Sequence, residues 1–278
     1  MSASEQLKTL VAQMPDPDAR GMYCTGVDKQ KIERAIAEIH KGGKESILGL
    51  IDMLGQPGSD QDVKPHYALH CLANFYLQTK DEDGRRQFCE TLAGELSGER
   101  SKYVRGYLCQ ELQWAGRSES APALGKLLCD EELSAPAAMA LVAIGQGAAE
   151  QFRAALGAAQ GKCRLNVVQG LGAVGDPQSA PALQAALADE DREVRLAAGW
   201  ALARAGDAAS ADLLIKAAGA QPGWERIQAT KHCMLLAEKL QAAGKQAEAA
   251  KIYTYLRDSR SDPSEKYIRQ AAEKALAG

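Results

Sequence analysis

The sequence predicts an all-α fold of stacked antiparallel helix pairs, and three observations support this fold class. Apolar residues recur at helical spacing along most of the chain. Aromatic residues make up only 5% of it, which is typical of helix packing based on Ala and Leu rather than of strands. A pattern of about 30 residues also repeats, which is typical of chains that stack one helical unit. It is marked by four glycines at spacings of 29, 30 and 31 residues, namely Gly116, Gly145, Gly175 and Gly206.

The residues before each glycine predict the longer helix of the repeat. Apolar residues stand one, eight and twelve positions before the glycine, and a leucine always stands four positions before it. Steps of three and four residues follow one face of an α-helix, so we expect this face to be buried. We also expect each glycine to end its helix with a positive φ, which other residues rarely adopt. The four leucines are Leu112, Leu141, Leu171 and Leu202.

A shorter helix is predicted after each glycine. Its pattern is clearest between Gly175 and Leu187 and returns between Gly116 and Leu128. Asp176 can cap this helix, and Pro177 suits its first position. Because proline lacks an N–H and clashes with the preceding turn, the internal Pro122 and Pro181 predict a bend or a restart of the helix.

Helix, glycine turn and helix at this period resemble HEAT repeats, and in particular the short HEAT-like repeats of the phycobilisome lyase type. The resemblance is strong over 104–218 and weaker over about 31–96 and 224–277. It includes the Val-Arg pairs that end at Arg105 and Arg195, with Asp191 upstream of the second. It implies a right-handed α-α superhelix in which such Asp and Arg residues bond between neighbouring repeats. We expect the least regular stacking near Ser134, which replaces the Arg, and Pro136.

The rest of the chain extends this plan. We predict a partly irregular leader or cap over 1–30, the HEAT-like solenoid over 31–222, and a C-terminal helical cap over 223–278 that is similar to a tetratricopeptide repeat, all in one continuous body. The alignment of Tyr67 with Tyr107 at an offset of 40 predicts an earlier unit with a long connection from Thr79 to Arg86. Further helices are predicted at Lys31–His40, Glu45–Leu54, Glu225–Ala243, Lys245–Arg257 and Ser264–Ala277.

Charge and hydropathy exclude several classes of function. A net charge of −3 argues against general nucleic-acid binding, which depends on Lys and Arg contacts with phosphates. No apolar run approaches the roughly 18 residues of a membrane span. Met1 to Met14 lacks the basic start and apolar centre of a signal peptide. We therefore expect a cytoplasmic monomer on the sequence as given, or an exported protein if a signal peptide has been removed.

Cysteine and histidine residues give no clear reactive site. Seven cysteines are scattered without a Cys-x-x-Cys pair, so most are predicted to be small buried hydrophobes, with Cys24 as the exposed thiol. His66 and His70 lie one helical turn apart and could share a metal, but no third ligand follows at a recognised spacing. The iron-binding His-Glu pairs of the HEAT-repeat deoxyhypusine hydroxylases are absent. No nucleophile elbow, phosphate loop or nucleotide fingerprint occurs either, so we predict no catalytic residue, metal or cofactor.

Positions nine, six and two before each glycine point away from the buried leucine, and the HEAT resemblance places them on a concave face. Aromatic, amide and Arg side chains at such positions are typical of protein interfaces. We therefore predict a non-enzymatic scaffold that binds a protein or peptide there. The predicted binding residues are Tyr67, His70, Asn74, Tyr107, Gln110, Trp114, Asn166, Gln169, Trp200 and Arg204.

Other interpretations of these residues stay open. Trp114 and Trp200 could instead fill gaps between neighbouring repeats. The chain could also be a lyase-like or chaperone-like protein that holds a chromophore or small cofactor, because the phycobilin lyases share the repeat style. A third interpretation is the non-catalytic HEAT module of a larger exported bacterial protein.

Overall fold

The structure is a computed structural model that describes residues 3–20, 24–55 and 62–277. Residues 1–2 and 21–23 of the predicted leader, 56–61 of the predicted solenoid and 278 of the predicted cap therefore lie outside the described residues. The chain divides into two compact units, Met1–Gln151 and Phe152–Gly278, with the boundary inside one helix. The predicted all-α class of packed helix pairs is confirmed. Among the described residues, the only strands are two of two residues each, paired antiparallel so that Asp16 faces Thr25.

The N-terminal unit contains the helices of the predicted leader and of the first repeats. Its elements are α1 Ala3–Val11, β1 Asp16–Pro17, β2 Cys24–Thr25, α2 Lys29–Lys41, α3 Gly43–Asp52, α4 Val63–Thr79, α5 Glu82–Glu95, α6 Lys102–Ala115, α7 Ala121–Gly125, α8 Ser134–Ile144 and the start of α9 Ala148–Leu156. Helix α4 packs against α6 and α6 against α8, while α3 packs against α5. The helices therefore form two layers, and α4, α6 and α8 make up one of them.

The C-terminal unit repeats the same arrangement more regularly. Its elements after α9 are α10 Gly161–Val174, α11 Ala180–Ala186, α12 Arg192–Ala205, α13 Ala211–Ala218, α14 Trp224–Ala242, α15 Gln246–Ser259 and α16 Lys266–Leu276. Helix α12 packs between α10 and α14, and each short helix packs on the long helix that follows it. The three predicted C-terminal helices are confirmed as α14, α15 and α16. Their similarity to a tetratricopeptide repeat stays a prediction.

The predicted buried stripe of the repeats is confirmed. Each of the four repeat leucines has an exposed fraction of 1% or less. Burying a leucine side chain stabilises the folded state by roughly 1.5–3 kcal/mol. These four positions therefore hold the repeats together, and they leave the opposite sides of the same helices for other contacts.

Three of the four repeat glycines adopt the expected positive φ, and the fourth does not. Gly145, Gly175 and Gly206 have φ values of 71°, 69° and 70°. Gly116 instead ends α6 in an extended conformation with φ of −69°. A Cβ atom at Gly116 would lie 2.4 Å from the backbone oxygen of Leu112. Glycine is thus needed at position 116 for space rather than for backbone conformation, and the expectation of a positive φ is wrong there.

The short helices restart as the internal prolines predict. A 3₁₀ turn at Pro177–Ser179 precedes α11, and another at Ser118–Ser120 precedes α7. Pro122 and Pro181 occupy the second positions of these helices, where a missing N–H costs no helical hydrogen bond. Asp176 caps the 3₁₀ turn by accepting a hydrogen bond of 3.4 Å from the Gln178 N–H.

The long connection predicted from Thr79 to Arg86 is wrong. Helix α5 already begins at Glu82, because Asp81 caps it by accepting a 2.9 Å hydrogen bond from the Gly84 N–H. Lys80 ends α4 in the left-handed conformation, with φ of 57°. Acidic residues are favourable in the first turn of a helix, so this charged run starts a helix rather than forming a loop. Both helices of this unit are longer than those of the later repeats, since α4 has 17 residues and α5 has 14, and this accounts for the larger offset.

Arginines link neighbouring repeats in the C-terminal unit, as the HEAT resemblance implies. Arg164, Arg195 and Arg226 lie 31 residues apart, and each donates from its Nη1 to the backbone near the end of the preceding short helix. Each also donates from Nε to a carboxylate further along the chain, at distances of 2.6 to 3.0 Å. We call these residues the arginine ladder. Asp191 does not take part, because it caps its own helix by accepting from the Glu193 N–H.

Candidate functional site

An open groove of about 860 Å³ lies on the α4, α6 and α8 layer of the N-terminal unit. It is lined by five of the predicted binding residues, and by further residues that sequence reasoning did not select. The predicted ones are Tyr67, His70, Tyr107, Gln110 and Trp114. The others include Asp62, His66, Tyr103, Glu111 and Ala143. The structure thus places five of the six predicted residues of α4 and α6 around one groove, whereas Asn74 is not among its lining residues.

Trp114 is exposed in this groove and is nevertheless held in a defined orientation. It leaves 57% of its surface exposed. Its Nε1–H donates to the Asn74 Oδ1 over 3.1 Å, and the Asn74 amide donates to the His70 backbone oxygen over 3.0 Å. The centroid of the Trp114 ring lies 5.7 Å from that of the His70 ring. Trp114 therefore presents a fixed aromatic surface to solvent instead of filling a gap between helices.

His70 forms an ion pair with a carboxylate that is almost fully buried. Glu111 is 4% exposed, and both of its carboxylate oxygens lie 3.2 Å from the His70 Nδ1. This hydrogen bond raises the pKa of His70 above its usual value, although partial burial acts in the opposite direction. The Glu111 carboxylate therefore favours the protonated form of His70 at the floor of the groove.

Tyr107 connects α6 to α4 below the exposed rim. Its hydroxyl donates to the His66 backbone oxygen over 2.8 Å, and its ring meets the His66 ring edge-on at a centroid distance of 4.1 Å. Burial raises the pKa of Tyr107, so the phenol stays neutral and acts as a donor. Tyr107 thus fixes the distance between the two helices that carry the groove.

His66 and His70 contact different carboxylates, although they lie one turn apart on α4. The His66 Nδ1 lies 2.7 Å from the Asp62 backbone oxygen and 3.5 Å from the Asp62 Oδ2. A carbonyl can only accept, so Nδ1 carries the proton and donates it to that oxygen. In the part of the chain that the structure describes, no three His, Cys, Asp or Glu side chains are grouped so that they could hold a metal ion.

The predicted residues of the C-terminal unit are arranged differently. Gln169 and Trp200 line a smaller depression of about 480 Å³ on α10, α12 and α14. Trp200 packs on α10 so closely that a Cβ at Gly172 would lie 2.6 Å from its ring. The Arg204 guanidinium lies 5.5 Å from the centroid of that ring and donates to the Ala173 oxygen over 3.4 Å. Trp200 therefore fills a gap between helices. Asn166 is half-buried on α10 and is not among the residues that line this depression.

Two of the residues missed by sequence reasoning differ in how readily they could have been found. Tyr103 stands one helical turn before Tyr107, so it shares the groove-facing side of α6 and could have been selected by extending the pattern. Glu111 stands beside the core residue Leu112, and nothing in the sequence indicates that its carboxylate is buried. Its role follows from the position of His70 on the neighbouring helix.

Four of the seven cysteines are buried, as predicted for most of them, whereas Cys24 and Cys71 are half-buried and Cys129 is exposed. Cys89, Cys109 and Cys233 are buried, and this burial raises the pKa of each thiol to about 12. They are therefore uncharged and unreactive near neutral pH. Cys129 is exposed, whereas Cys24 is half-buried, so the prediction that Cys24 is the exposed thiol is wrong. Cys24 is partly covered because it lies in the short strand β2.

No described helix is both long enough and apolar enough to cross a membrane.

Residues 149–234 match the family of HEAT repeats. No curated protein sequence matches the chain.

Several solved structures are similar to this chain. YibA from Escherichia coli shares 12% identity with a TM-score of 0.52, over 100% of this chain and 93% of that one. An engineered protein shares 19% identity with a TM-score of 0.48, over 98% of this chain and 77% of that one. The complex of CpcE and CpcF of phycocyanin lyase from Nostoc sp. PCC7120 shares 17% identity with a TM-score of 0.36, over 90% and 92%. At such identities, the likeness to YibA concerns the fold alone.

Proposed function

We propose that this chain is a non-enzymatic scaffold for protein–protein interaction, since residues 149–234 match the family of HEAT repeats. We further propose that the groove on α4, α6 and α8 binds an extended segment of a partner protein. The observation that supports this most is the exposed, hydrogen-bonded indole of Trp114. Tryptophan is strongly enriched among the residues that dominate binding energy. A ring already fixed by Asn74 also loses little conformational entropy when a partner covers it.

The size and polarity of the groove suit a peptide segment. Its volume of about 860 Å³ lies within the range of roughly 300–1,000 Å³ of ligand sites. Gln110 and Gln113 place amide groups along the same wall, and such groups can both donate to and accept from a peptide backbone. Aromatic surface at the centre and amides beside it are the usual composition of a protein interface.

A peptide selection with a single truncation at the centre of the groove tests this proposal. A random library displayed on phage is selected against the wild-type protein, and the affinity of recovered peptides is measured by fluorescence anisotropy. We expect Trp114→Ala to weaken binding at least tenfold, because truncation of a central interface residue costs about 2 kcal/mol or more. Asn74→Ala, which frees the indole, is expected to weaken it by a smaller factor.

Tyr267 provides a matched control. It is an exposed aromatic residue on α16 of the C-terminal unit, so Tyr267→Ala removes a similar surface far along the chain. Circular dichroism checks that all variants keep their helix content. The proposal is wrong if no peptide is recovered, or if Tyr267→Ala weakens binding as much as Trp114→Ala does.

A further inference from the structure

The charged groups of the groove are unevenly distributed. Among the described residues that line it, two carry carboxylates, Asp62 and Glu111, and none is Lys or Arg. The two imidazoles of His66 and His70 complete the titratable side chains apart from the tyrosines. A partner that enters this groove therefore meets acceptors and negative charge on a largely aromatic wall.

Asp62 has no structural role that accounts for its burial. It precedes α4 directly, but its side chain makes no capping hydrogen bond. Asp62 is 5% exposed, and within the described chain its Oδ2 has no hydrogen-bond partner. Burying a carboxylate oxygen without a partner is costly. The positive end of the α4 dipole offsets part of this cost and leaves the oxygen available to a ligand.

The other acidic residue of the groove already accepts hydrogen bonds from a histidine. Glu111 accepts a hydrogen bond from the His70 Nδ1 over 3.2 Å. The imidazole closest to Asp62 is that of His66, and its proton is not directed at the Asp62 carboxylate. The His66 Nδ1 donates to the Asp62 backbone oxygen at 2.7 Å, compared with 3.5 Å to Oδ2. In the described chain, Asp62 Oδ2 is therefore the carboxylate oxygen of the groove that lacks a hydrogen bond, with the His66 ring 3.5 Å away.

Aromatic rings lie near this carboxylate. Tyr103 is exposed at the rim, and its pKa is raised by burial and by the neighbouring Asp62 carboxylate. The Tyr103 and Tyr107 rings lie 5.9 and 4.1 Å from the His66 ring, whereas Trp114 contacts Asn74, further along α4. A cation is attracted to the face of an aromatic ring, by about 0.5–1 kcal/mol at exposed sites and more when water is excluded. A carboxylate beside a tyrosine ring favours a positively charged group with an apolar stem, such as a Lys or Arg side chain.

We propose that the segment bound in this groove carries a basic side chain, whose charged group pairs with the Asp62 carboxylate beside Tyr103. This inference rests on the proposed function of the groove, and it specifies the chemistry of the partner. Formation of the ion pair supplies the missing hydrogen bond to Oδ2. It also places the alkyl stem of the ligand side chain against the tyrosine rings.

The test uses the peptides selected against the wild-type protein. We expect Arg or Lys at one fixed position in most of them. Replacing Arg by citrulline keeps its length and removes its charge; where the residue is Lys, acetyl-lysine removes the charge and keeps the alkyl stem. This replacement is expected to weaken binding at least tenfold, because a charge-assisted hydrogen bond contributes about 1.5–3 kcal/mol. The comparison needs no protein variant, so a folding defect cannot obscure it.

A protein variant locates the partner of this charge. Asp62→Asn is expected to weaken the basic peptide at least tenfold and to leave the uncharged peptide within about twofold. Asp212→Asn removes one exposed carboxylate from the C-terminal unit and is the control for general charge attraction. Thermal unfolding followed by circular dichroism verifies that both variants are folded.

The outcomes separate this inference from the proposed function. Selected peptides that need Trp114 but lack a basic residue, or bind equally well with citrulline, overturn the inference while peptide binding stands. Equal losses in Asp62→Asn and Asp212→Asn overturn it as well, since the attraction would then be non-specific. A selection that recovers no peptide overturns both.

Discussion

The two units have the same kind of helix layer but use its polar residues differently. In the C-terminal unit, Arg164, Arg195 and Arg226 form the arginine ladder, and Trp200 packs on Gly172. In the N-terminal unit, the corresponding layer keeps Trp114 exposed and leaves a buried Asp62 oxygen without a partner among the described residues. Among the described residues, three of the four buried polar atoms without a hydrogen bond lie in the N-terminal unit, namely His40 Nδ1, Asp62 Oδ2 and Ser120 Oγ, and the fourth, Arg260 Nε, lies in the C-terminal unit.

This difference indicates where binding is expected in a repeat protein. Polar groups that pair between neighbouring repeats stabilise the stack and are not available to a partner. Groups that stay exposed or unpaired reduce stability, and they persist where a ligand can use them. Polar residues that recur at the same position of each repeat are therefore interpreted here as structural, whereas polar residues that interrupt this pattern mark the candidate site.

The largest expected effect on the free energy of unfolding comes from two histidines, one in each unit, whose contributions change with pH in opposite directions. His232 is 7% exposed, and burial lowers its pKa to about 4. The unfolded chain binds the proton at about pH 6.5, so this residue's contribution to the free energy of unfolding is lost as the pH falls from 6.5 towards 4, by about 3 kcal/mol. His70 has a raised pKa, so its contribution is present below about pH 6.5 and is lost as the pH rises through the folded-state value.

Urea unfolding between pH 4 and pH 8 measures both contributions. His232→Gln is expected to flatten the acid side of the stability profile, and His70→Gln to alter only the neutral side, by a smaller amount because His70 is half exposed. An acid profile that is the same in wild type and His232→Gln would show that His232 is not buried in its neutral form.

The next largest effect on the free energy of unfolding is expected to differ between Trp114 and Trp200. Trp200→Ala is expected to lower the free energy of unfolding by about 2 kcal/mol, because it removes a ring packed between helices. Trp114→Ala is expected to lower it by less than about 1 kcal/mol, since its ring is mostly exposed. Denaturation in urea, followed by far-UV circular dichroism, gives both values. Equal losses would contradict the assignment of a packing role to one tryptophan and an exposed role to the other.

The smallest effect concerns the arginine ladder. Arg195→Ala is expected to lower the free energy of unfolding by about 1 kcal/mol, mainly through loss of its hydrogen bonds to the Asp189 and Glu190 backbone oxygens. Its ion pair with Glu225 is partly exposed and contributes less. Arg192→Ala, three residues earlier, removes an exposed guanidinium that contacts only its neighbour Glu193 within the described chain. A similar loss in the two variants, measured by thermal unfolding, would show that the ladder does not stabilise the stack.

Much of the fold could be predicted because it depends on periodicity. The leucine stripe, the C-terminal helices and the restarts at Pro122 and Pro181 follow from spacing and proline geometry alone. The wrong connection before Arg86 has a local cause, since the same charged residues suit a loop and the first turn of a helix. The Asp81 hydrogen bond to the Gly84 N–H favours the helix.

The sequence by itself determined the architecture and the side of each helix that faces away from the core, because both follow from a repeated spacing of apolar residues. Only the tertiary structure decided which of those outward residues form the candidate site. Glu111 is buried because His70 lies beside it on another helix, and Trp200 packs because Gly172 gives it room. Within the described residues, Asp62 Oδ2 lacks a hydrogen bond because the His66 Nδ1 donates to the Asp62 backbone oxygen instead. Such contacts depend on the packing of separate helices, which spacing along one helix does not encode.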